Sequence, residues 1–226
     1  VLVLGAGVTG VTSAWYLAKA GHDVTVLERQ PDAGLETSFA NGGQISVSHA
    51  EPWANPHAPL KALRWLARED APLLFRLRAD LAQWRWGLAF LGQCLPGNTR
   101  HNTVQLVKLG LYSRACLQAL RAQTGIEYDQ LSRGILHFYS SAAEVEAART
   151  SVRIMREQGC AIELIDVQAA IALEPALRDA GHLLAGASVA PDDESGDAHR
   201  FATALAWQAS RKGVHFRFDT RVQALE

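Results

Sequence analysis

The chain is short of the residues that usually reveal a metal centre or a disulfide framework. Only three of its 226 residues are cysteines, and their wide spacing excludes the paired patterns of zinc sites. We expect Cys94, Cys116 and Cys160 to be free, buried thiols in a reducing compartment. The histidines of the second half also lack the spacing of metal ligands, so we expect no metal; they are His137, His182, His199 and His215.

An excess of charge of either sign is also missing. Twenty-two basic residues face 23 acidic ones, for a net charge of −1, and we expect no nucleic-acid partner. No apolar run is as long as the roughly 20 residues that a transmembrane helix needs. The apolar start, residues 1–4, is too short for a signal peptide, so we expect a cytoplasmic protein. Both ends of the chain have the pattern of a strand, which predicts a piece of a longer protein.

The first 28 residues carry the pattern of a nucleotide-binding strand–helix–strand unit. Residues 1–4 are an apolar, β-branched run; a helix is predicted over 8–21 and a second strand over 23–27. Glycines at three fixed positions of the first turn allow a tight bend, the approach of a pyrophosphate and close packing of the helix. The residues expected to bind the cofactor here are Gly5, Gly7, Val8, Thr9 and Gly10.

An acidic residue ends the second strand. Glu28 lies 18 residues after Gly10, where a carboxylate can accept hydrogen bonds from the ribose hydroxyls of an adenosine. It would repel a 2′-phosphate, which argues against NADP, although the neighbouring Arg29 would attract one. We expect both residues to contact the nucleotide. This unit by itself is compatible with both FAD and NAD.

The segment after this unit favours FAD. A nicotinamide-binding domain would continue with a helix and a third strand, whereas residues 36–46 form a polar, glycine-bearing loop, ETSFANGGQIS. Its glycines permit a close approach to a flat ligand, and its polar side chains can hydrogen-bond phosphate or ring edges. An ordinary surface turn is the alternative. The residues expected to contact the cofactor in this loop are Ser38, Asn41, Gly42, Gly43 and Gln44.

This loop, together with AEPWANP at residues 50–56, resembles the FAD-dependent D-amino-acid dehydrogenases of the D-amino-acid oxidase, glycine oxidase and sarcosine oxidase superfamily. The likeness extends along the whole chain. Further matching stretches are LKALRW at 60–65, YSRACL at 112–117, LRAQTGI at 120–126 and PDDESGD at 191–197.

The resemblance implies an α/β fold, with a Rossmann-like FAD-binding domain of residues 1–50 and 192–226. An inserted α+β substrate domain would span 51–191, and the full protein would be about twice this length. The missing half would carry the last FAD-contacting stretch, much of the substrate site and the arginine that binds the substrate carboxylate. The resemblance also implies that the backbone of Val222 pairs with the adenine edge.

The activity implied by the resemblance is oxidative deamination of D-amino acids such as D-alanine. The α-carbon loses hydride to flavin N5, and the imino acid hydrolyses to a 2-oxo acid and ammonia. Electrons would pass to a quinone-linked acceptor. Two alternatives remain: an amine oxidase of glycine or sarcosine that uses oxygen, and a FAD-binding subunit without turnover. Ser46 and His49 follow the loop directly and are candidate catalytic residues, although a loop histidine is often structural.

The middle of the chain has a helical pattern. Residues 58–98 mix leucine, tryptophan and arginine, which fits either helices packed on a sheet or a peripheral contact with the inner face of the bacterial inner membrane. The acidic cluster at 192–194 is interpreted as a turn and the N-terminal cap region before the helix predicted from Asp197, rather than as a cation site. Further helices are predicted over 101–124, 142–158 and 197–211, and further strands over 134–139, 161–165, 182–190 and 214–218.

Overall fold

The computed structural model describes residues 1–65 and 79–224. Its helices are α1 Val8–Lys19, α2 Ala58–Trp65, α3 Leu81–Gln93, α4 Pro96–Thr124, α5 Ala142–Glu157, α6 Val167–Leu173 and α7 Ala198–Ser210. Its strands are β1 Leu2–Leu4, β2 Thr25–Leu27, β3 Gln44–Ile45, β4 Ile135–Tyr139, β5 Glu163–Ile165, β6 Gly186–Ala190, β7 Glu194–Ser195 and β8 His215–Arg217. Short 3-10 turns lie at Val47–His49, Pro175–Leu177 and Gly181–Leu183.

The chain divides into two compact units. The first contains Val1–Ile45, Arg114–Gly134 and the segment from Asp192 onward, and the second contains Ser46–Ser113 and Ile135–Pro191. Each unit has its own cluster of buried apolar side chains. Helix α4 contributes residues to both units because the division falls within it.

The first unit is built on a parallel sheet in the order β1-β2-β8. Val3 pairs with Val26, and Val26 pairs with Phe216. Parallel strands need crossover connections, and α1 supplies the one between β1 and β2. The predicted strand over 214–218 therefore returns to this sheet, as the sequence indicates. A two-stranded antiparallel ladder, β3 with β7, belongs to the same unit.

Helices α1 and α7 pack against each other in the core of the first unit. Small side chains allow this close contact: Ala14 of α1 and Ala202 and Ala209 of α7 are fully buried. Trp15 and Leu205 fill the space beside them. Burial of such side chains stabilises a fold by roughly 1.5–3 kcal/mol for each large one.

The second unit contains an antiparallel sheet in the order β4-β6-β5. His137 lies opposite Ser188 in the β4–β6 pair. Helix α5, which packs against this sheet, begins with a capping box, in which Ser141 and Glu144 satisfy each other's backbone N–H groups. Asp166 caps α6, since its side chain accepts a hydrogen bond from Ala169 N at 2.8 Å. The buried core of this unit comprises Val47, Ala50, Val107, Val152, Met155, Cys160, Ile162 and Ala190.

The predicted domain boundaries differ from the two units in two places. Residues 46–50 fall in the second unit because Val47 and Ala50 pack in its core. Residues 114–134 fall in the first unit because Leu120 and Tyr128 pack in its core. Sequence patterns do not reveal these exchanges, since the apolar spacing of a helix does not say which sheet it faces.

Two elements begin four or five residues away from their predicted starts. Helix α4 begins at Pro96, five residues before the predicted start at 101, because proline is favoured in the first turn of a helix. The strand predicted over 182–190 begins only at Gly186, since a 3-10 turn occupies Gly181–Leu183. Part of the helical region predicted over 58–98 lies outside the described residues. None of the three cysteines, all of them within the described residues, forms a disulfide; Cys94 and Cys160 are buried, and Cys116 is half-buried.

Candidate functional site

The turn between β1 and α1 requires glycine for steric reasons. Gly5 has a φ of +92° and donates its N–H to Leu27 O at 2.8 Å. A Cβ on Gly10 would lie 1.9 Å from Gly5 O, a distance that no side chain can occupy. Helix α1 can therefore begin this close to the end of β1 only because residue 10 has no side chain.

The start of α1 is suited to an anion. Its N-cap is Gly7, which has no side chain to satisfy the exposed N–H groups, and its first turn contains no acidic residue. The Val8 N–H donates to Ser38 Oγ at 3.1 Å, so Ser38 lies at the helix start. Thr9 is exposed in the same turn. Backbone N–H groups at a helix N-terminus, with the positive end of the helix dipole, attract phosphate groups.

Glu28 lies at the carboxyl end of β2, facing this turn. Its side chain is buried, with 8% of the residue exposed. One carboxylate oxygen accepts from Ala6 N at 2.7 Å, and the other accepts from Gln30 N at 2.8 Å. Because each oxygen carries a second lone pair, both can still accept a hydrogen bond from a hydroxyl. The carboxylate is thus fixed by backbone donors beside the glycine turn.

Arg29 turns towards the loop at 36–46. Its guanidinium forms a bidentate ion pair with Glu36, and Gln30 Nε2 donates to the same carboxylate at 2.9 Å. The hydrogen bonds from Arg29, followed by that from Gln30, hold the pKa of Glu36 at about 2. The pair ties the start of the loop to the end of β2. Arg29 therefore follows Glu28 in the chain, but its guanidinium is directed to Glu36.

The loop itself is held by its own polar groups. Asn41 Oδ1 accepts from Gly43 N at 2.7 Å, and Asn41 Nδ2 donates to Thr37 O at 3.2 Å. Gly43 has a φ of +59°, and a Cβ there would lie 2.3 Å from Gly196 O. Asn41 thus shapes the loop, and Gly43 permits its contact with the segment after β7. Gly42 and Gln44 are exposed beside it.

This loop borders an open depression of about 390 Å³ in the first unit. Its opposite wall is formed by Asp129 and by the first residues of α7 with the turn before them. The complete lining is Ser38, Phe39, Asn41, Gly42, Gly43, Asp129, Ser195, Gly196, Asp197 and Ala198. Four of the five loop residues expected to contact the cofactor therefore share this surface, namely Ser38, Asn41, Gly42 and Gly43, whereas Gln44 is not part of the lining.

The segment after β8 lies along the end of β2. Glu28 N donates to Arg217 O at 2.9 Å, and Thr220 N donates to Glu28 O at 2.8 Å. Val222 is exposed, two residues beyond this pairing. Ligands of open parallel sheets bind at the carboxyl ends of the strands, and this segment brings the chain to that edge.

In the second unit, the candidate catalytic residues belong to a polar cluster. Ser46 Oγ lies 3.0 Å from Ser48 Oγ, which lies 3.1 Å from His137 Nε2. The rings of His49 and His137 stack, with centroids 5.7 Å apart and 11° between their planes. Sequence reasoning missed His137, because it is 88 residues away on β4 and only the folded chain brings it to His49. Within the described ranges, no group of three potential metal ligands is assembled.

Comparison with known proteins identifies the family. The sequence profile described as "FAD dependent oxidoreductase" matches residues 1–226, the whole chain. The chain belongs to this family. Its fold class is therefore the FAD-binding α/β fold that the sequence predicts, and FAD is the cofactor.

Curated relatives at 45–58% identity are named D-amino acid dehydrogenase. The chain is 58% identical over its whole length to a D-amino acid dehydrogenase of Dechloromonas aromatica and 55% identical to one of Paramagnetospirillum magneticum. It covers 54% of each, so it spans about half the length of these relatives. A glycine oxidase structure from Geobacillus kaustophilus superposes with a TM-score of 0.66 over 98% of this chain and 46% of its own. At 23% identity, that likeness shows the fold alone.

The geometry of the first unit is compatible with FAD. The uncapped start of α1 suits a diphosphate, and the fixed carboxylate of Glu28 suits a ribose. A Cβ on Gly7 would lie 3.2 Å from Ser38 Oγ, so the absence of a side chain at residue 7 avoids crowding Ser38 at the start of α1. These features stand on one edge of one sheet.

We expect Glu28→Gln to weaken FAD binding by the complete protein at least tenfold. The amide nitrogen would face a backbone N–H, and a hydrogen bond to a charged group contributes about 1.5–3 kcal/mol. A fluorescence titration with FAD measures the change. The matched control is Glu163→Gln, at an exposed carboxylate of the second unit. Equal dissociation constants for Glu28→Gln and the parent would show that this carboxylate does not hold the nucleotide.

Proposed function

We propose that the complete protein is an FAD-dependent D-amino acid dehydrogenase. It would convert D-amino acids such as D-alanine to 2-oxo acids and ammonia, and pass the electrons to a quinone-linked acceptor. The observation that carries the proposal is the identity of more than one half, along the whole chain, to two proteins named D-amino acid dehydrogenase. The chain holds about half of such a protein, with the first part of its FAD site.

The reaction removes two electrons and two protons from the substrate, and water then hydrolyses the imine. FAD, when bound, supplies the two-electron acceptor. The protein must bind the amino acid with a neutral amine, a fixed carboxylate and little water around the reacting carbon. Such a site needs orientation more than a strong base, which fits a cluster of hydroxyl and imidazole groups.

The residues proposed to hold FAD are those at the edge of the parallel sheet. The turn of Gly5, Gly7 and Gly10, with Val8, Thr9 and Ser38, would bind the diphosphate through N–H and hydroxyl groups. Glu28, with Arg29 beside it, would bind the ribose, and the backbone of Val222 would meet the adenine. The loop residues Asn41, Gly42, Gly43 and Gln44 would border the isoalloxazine.

The electron-acceptor test uses the complete protein with its flavin. Under anaerobic conditions, we expect D-alanine to bleach the flavin absorption bands at about 370 and 450 nm, which any oxidised flavin shows. L-Alanine is the control and should leave them unchanged. A short-chain quinone should then restore the bands faster than air does. Bands that D-alanine never bleaches would contradict the substrate, and rapid recovery in air would indicate an oxidase instead.

Ser46 and His49 are proposed to act on the substrate side. Ser46 follows β3 directly in the chain, and the stacked ring of His137 holds His49 while its Nε2 meets Ser48. A base is not required of them; they would orient the substrate and exclude water.

We expect His49→Ala and Ser46→Ala each to lower kcat/KM for D-alanine by roughly tenfold, the effect of about one lost hydrogen bond. His137→Ala should produce a similar loss, because His49 then has no ring to stack on. Steady-state kinetics with a quinone analogue measures these changes, and His182→Ala, at an exposed histidine of the same unit, is the control. If all three variants kept the parent kcat/KM, the cluster would have no part in the reaction.

Contact with a membrane surface is proposed through α3. The described part of the chain contains no helix long and apolar enough to cross a bilayer. Helix α3 buries none of its residues, and Trp84 and Trp86 remain 53% and 57% exposed on either side of Arg85. Leu81, Leu88 and Leu91 are also exposed on this helix. Tryptophan, leucine and arginine together are typical of a surface that lies in a lipid interface, here the inner face of the bacterial inner membrane.

Replacing both tryptophans should release the protein from lipid. We expect Trp84→Ser/Trp86→Ser to lower cosedimentation with vesicles containing phosphatidylglycerol by at least threefold. Burying a large apolar side chain contributes at most roughly 1.5–3 kcal/mol to binding, and the variant loses this contribution at two positions. The control is Trp207→Ser, at an equally exposed tryptophan on α7 of the first unit. A parent protein that does not sediment with these vesicles would exclude the membrane contact.

A further inference from the structure

Two fully buried carboxylates lie in the first unit, away from the glycine turn. Asp193 is 0% exposed and Glu194, in β7, is 2% exposed. Two guanidinium groups from α4 meet them: Arg114 Nη1 lies 3.3 Å from Asp193 Oδ1, and Arg121 Nη1 lies 2.7 Å from Glu194 Oε2. Removing a carboxylate from water costs several kcal/mol unless it is paired and hydrogen-bonded.

Glu194 is satisfied at both oxygens. Gln118 Nε2 donates to Oε1 at 2.6 Å, while Arg121 holds Oε2. Arg114, Gln118 and Arg121 follow one another at helical spacing, so they line one face of α4. The guanidinium of Arg121, ahead of the other groups, lowers the pKa of Glu194, so this carboxylate stays ionised at neutral pH.

Arg121 also holds a second part of the unit. Its Nη1 donates to the hydroxyl of Tyr128 at 2.9 Å. The Tyr128 ring lies against Gly196, where a Cβ would be only 2.5 Å from Cδ2 of the ring. Tyr128 O accepts from Asp197 N at 2.7 Å, and Asp197 caps α7 through Arg200 N. One guanidinium thus fixes both β7 and the turn that follows it.

Those two segments support the loop at 36–46. Glu194 pairs with Ile45, and Ser195 pairs with Gln44, across the β3–β7 ladder. Gly196 N donates to Gly43 O at 2.8 Å, and Gly43 permits this contact by having no Cβ. The position of the loop is therefore set by residues 194–196, the segment that Arg121 holds through Glu194 and through Tyr128.

We propose that Arg121 is a positioning residue for the flavin loop, acting through Glu194 and Tyr128 rather than by touching the cofactor. A buried ion pair contributes little net stability compared with apolar side chains of similar size, but its hydrogen bonds specify one arrangement. The ion pair accordingly fixes the position of β7, and β7 in turn fixes the position of the loop at Gly42 and Gly43. The inference rests on the proposed binding of FAD at this loop.

The experiment compares a single and a double variant of the complete flavoprotein. Arg121→Met leaves Glu194 buried without its guanidinium, so both the Tm and the FAD affinity should fall. Arg121→Met/Glu194→Met removes both charges and keeps the volume, so the Tm should return towards that of the parent. We expect the double variant still to bind FAD roughly tenfold more weakly than the parent and to show an altered visible circular dichroism of the bound flavin. The reason is that β7 has lost the hydrogen bonds that position the flavin loop, although the stability of the fold is restored.

A matched control is available on α5. Arg149 and Glu146 form an exposed pair at 2.9 Å in the second unit, and Arg149→Met/Glu146→Met should change neither quantity. The proposal is overturned if FAD affinity and flavin dichroism follow the Tm in every variant, the double one included. If the single variant does not fold, the double variant decides by itself. These readouts use no amino acid, so a wrong substrate assignment would leave them unaffected.

Discussion

The close approach of α1 to the end of β1 is the constraint on which the first unit depends. It exists because Gly10 has no side chain where Gly5 O lies. From that contact follow the direction of α1, its packing on α7 and the exposure of its first N–H groups beside Ser38. Glu28 completes the arrangement by accepting from Ala6 in the same turn. The proposed phosphate site thus depends on the absence of a side chain at residue 10.

The first unit uses charge in two different ways. At the surface, Arg29 and Glu36 tie the end of β2 to the following loop, in water, where such pairs contribute little stability. In the interior, Arg121 and Glu194 meet where neither charge could remain alone. The Arg29–Glu36 pair ties down a solvent-exposed loop, whereas the Arg121–Glu194 pair is proposed to hold β7 in one arrangement. Both act on residues 36–46 from opposite ends.

Much of this was accessible from sequence, because it depends on short-range patterns. The strand, glycine turn, helix and acidic residue of the first 28 positions are adjacent in the chain, and each has a local physical meaning. The cap at Asp166 was predictable for the same reason. Boundaries were less accessible: Pro96 begins α4 earlier than apolar spacing indicates, and Gly181–Leu183 turns where a strand was expected.

By itself, the sequence determined the strand, glycine turn and helix of the first unit, since these depend on residues that are close together in the chain. Its resemblance to known proteins gave the family and the cofactor. Only the tertiary structure decided that residues 114–134 join the first unit, that His137 stacks on His49, and that Arg121 reaches Glu194 across 73 positions. Such pairings are decided by how helices and strands pack. A charged or aromatic residue carries no sign in the sequence of which distant partner will meet it.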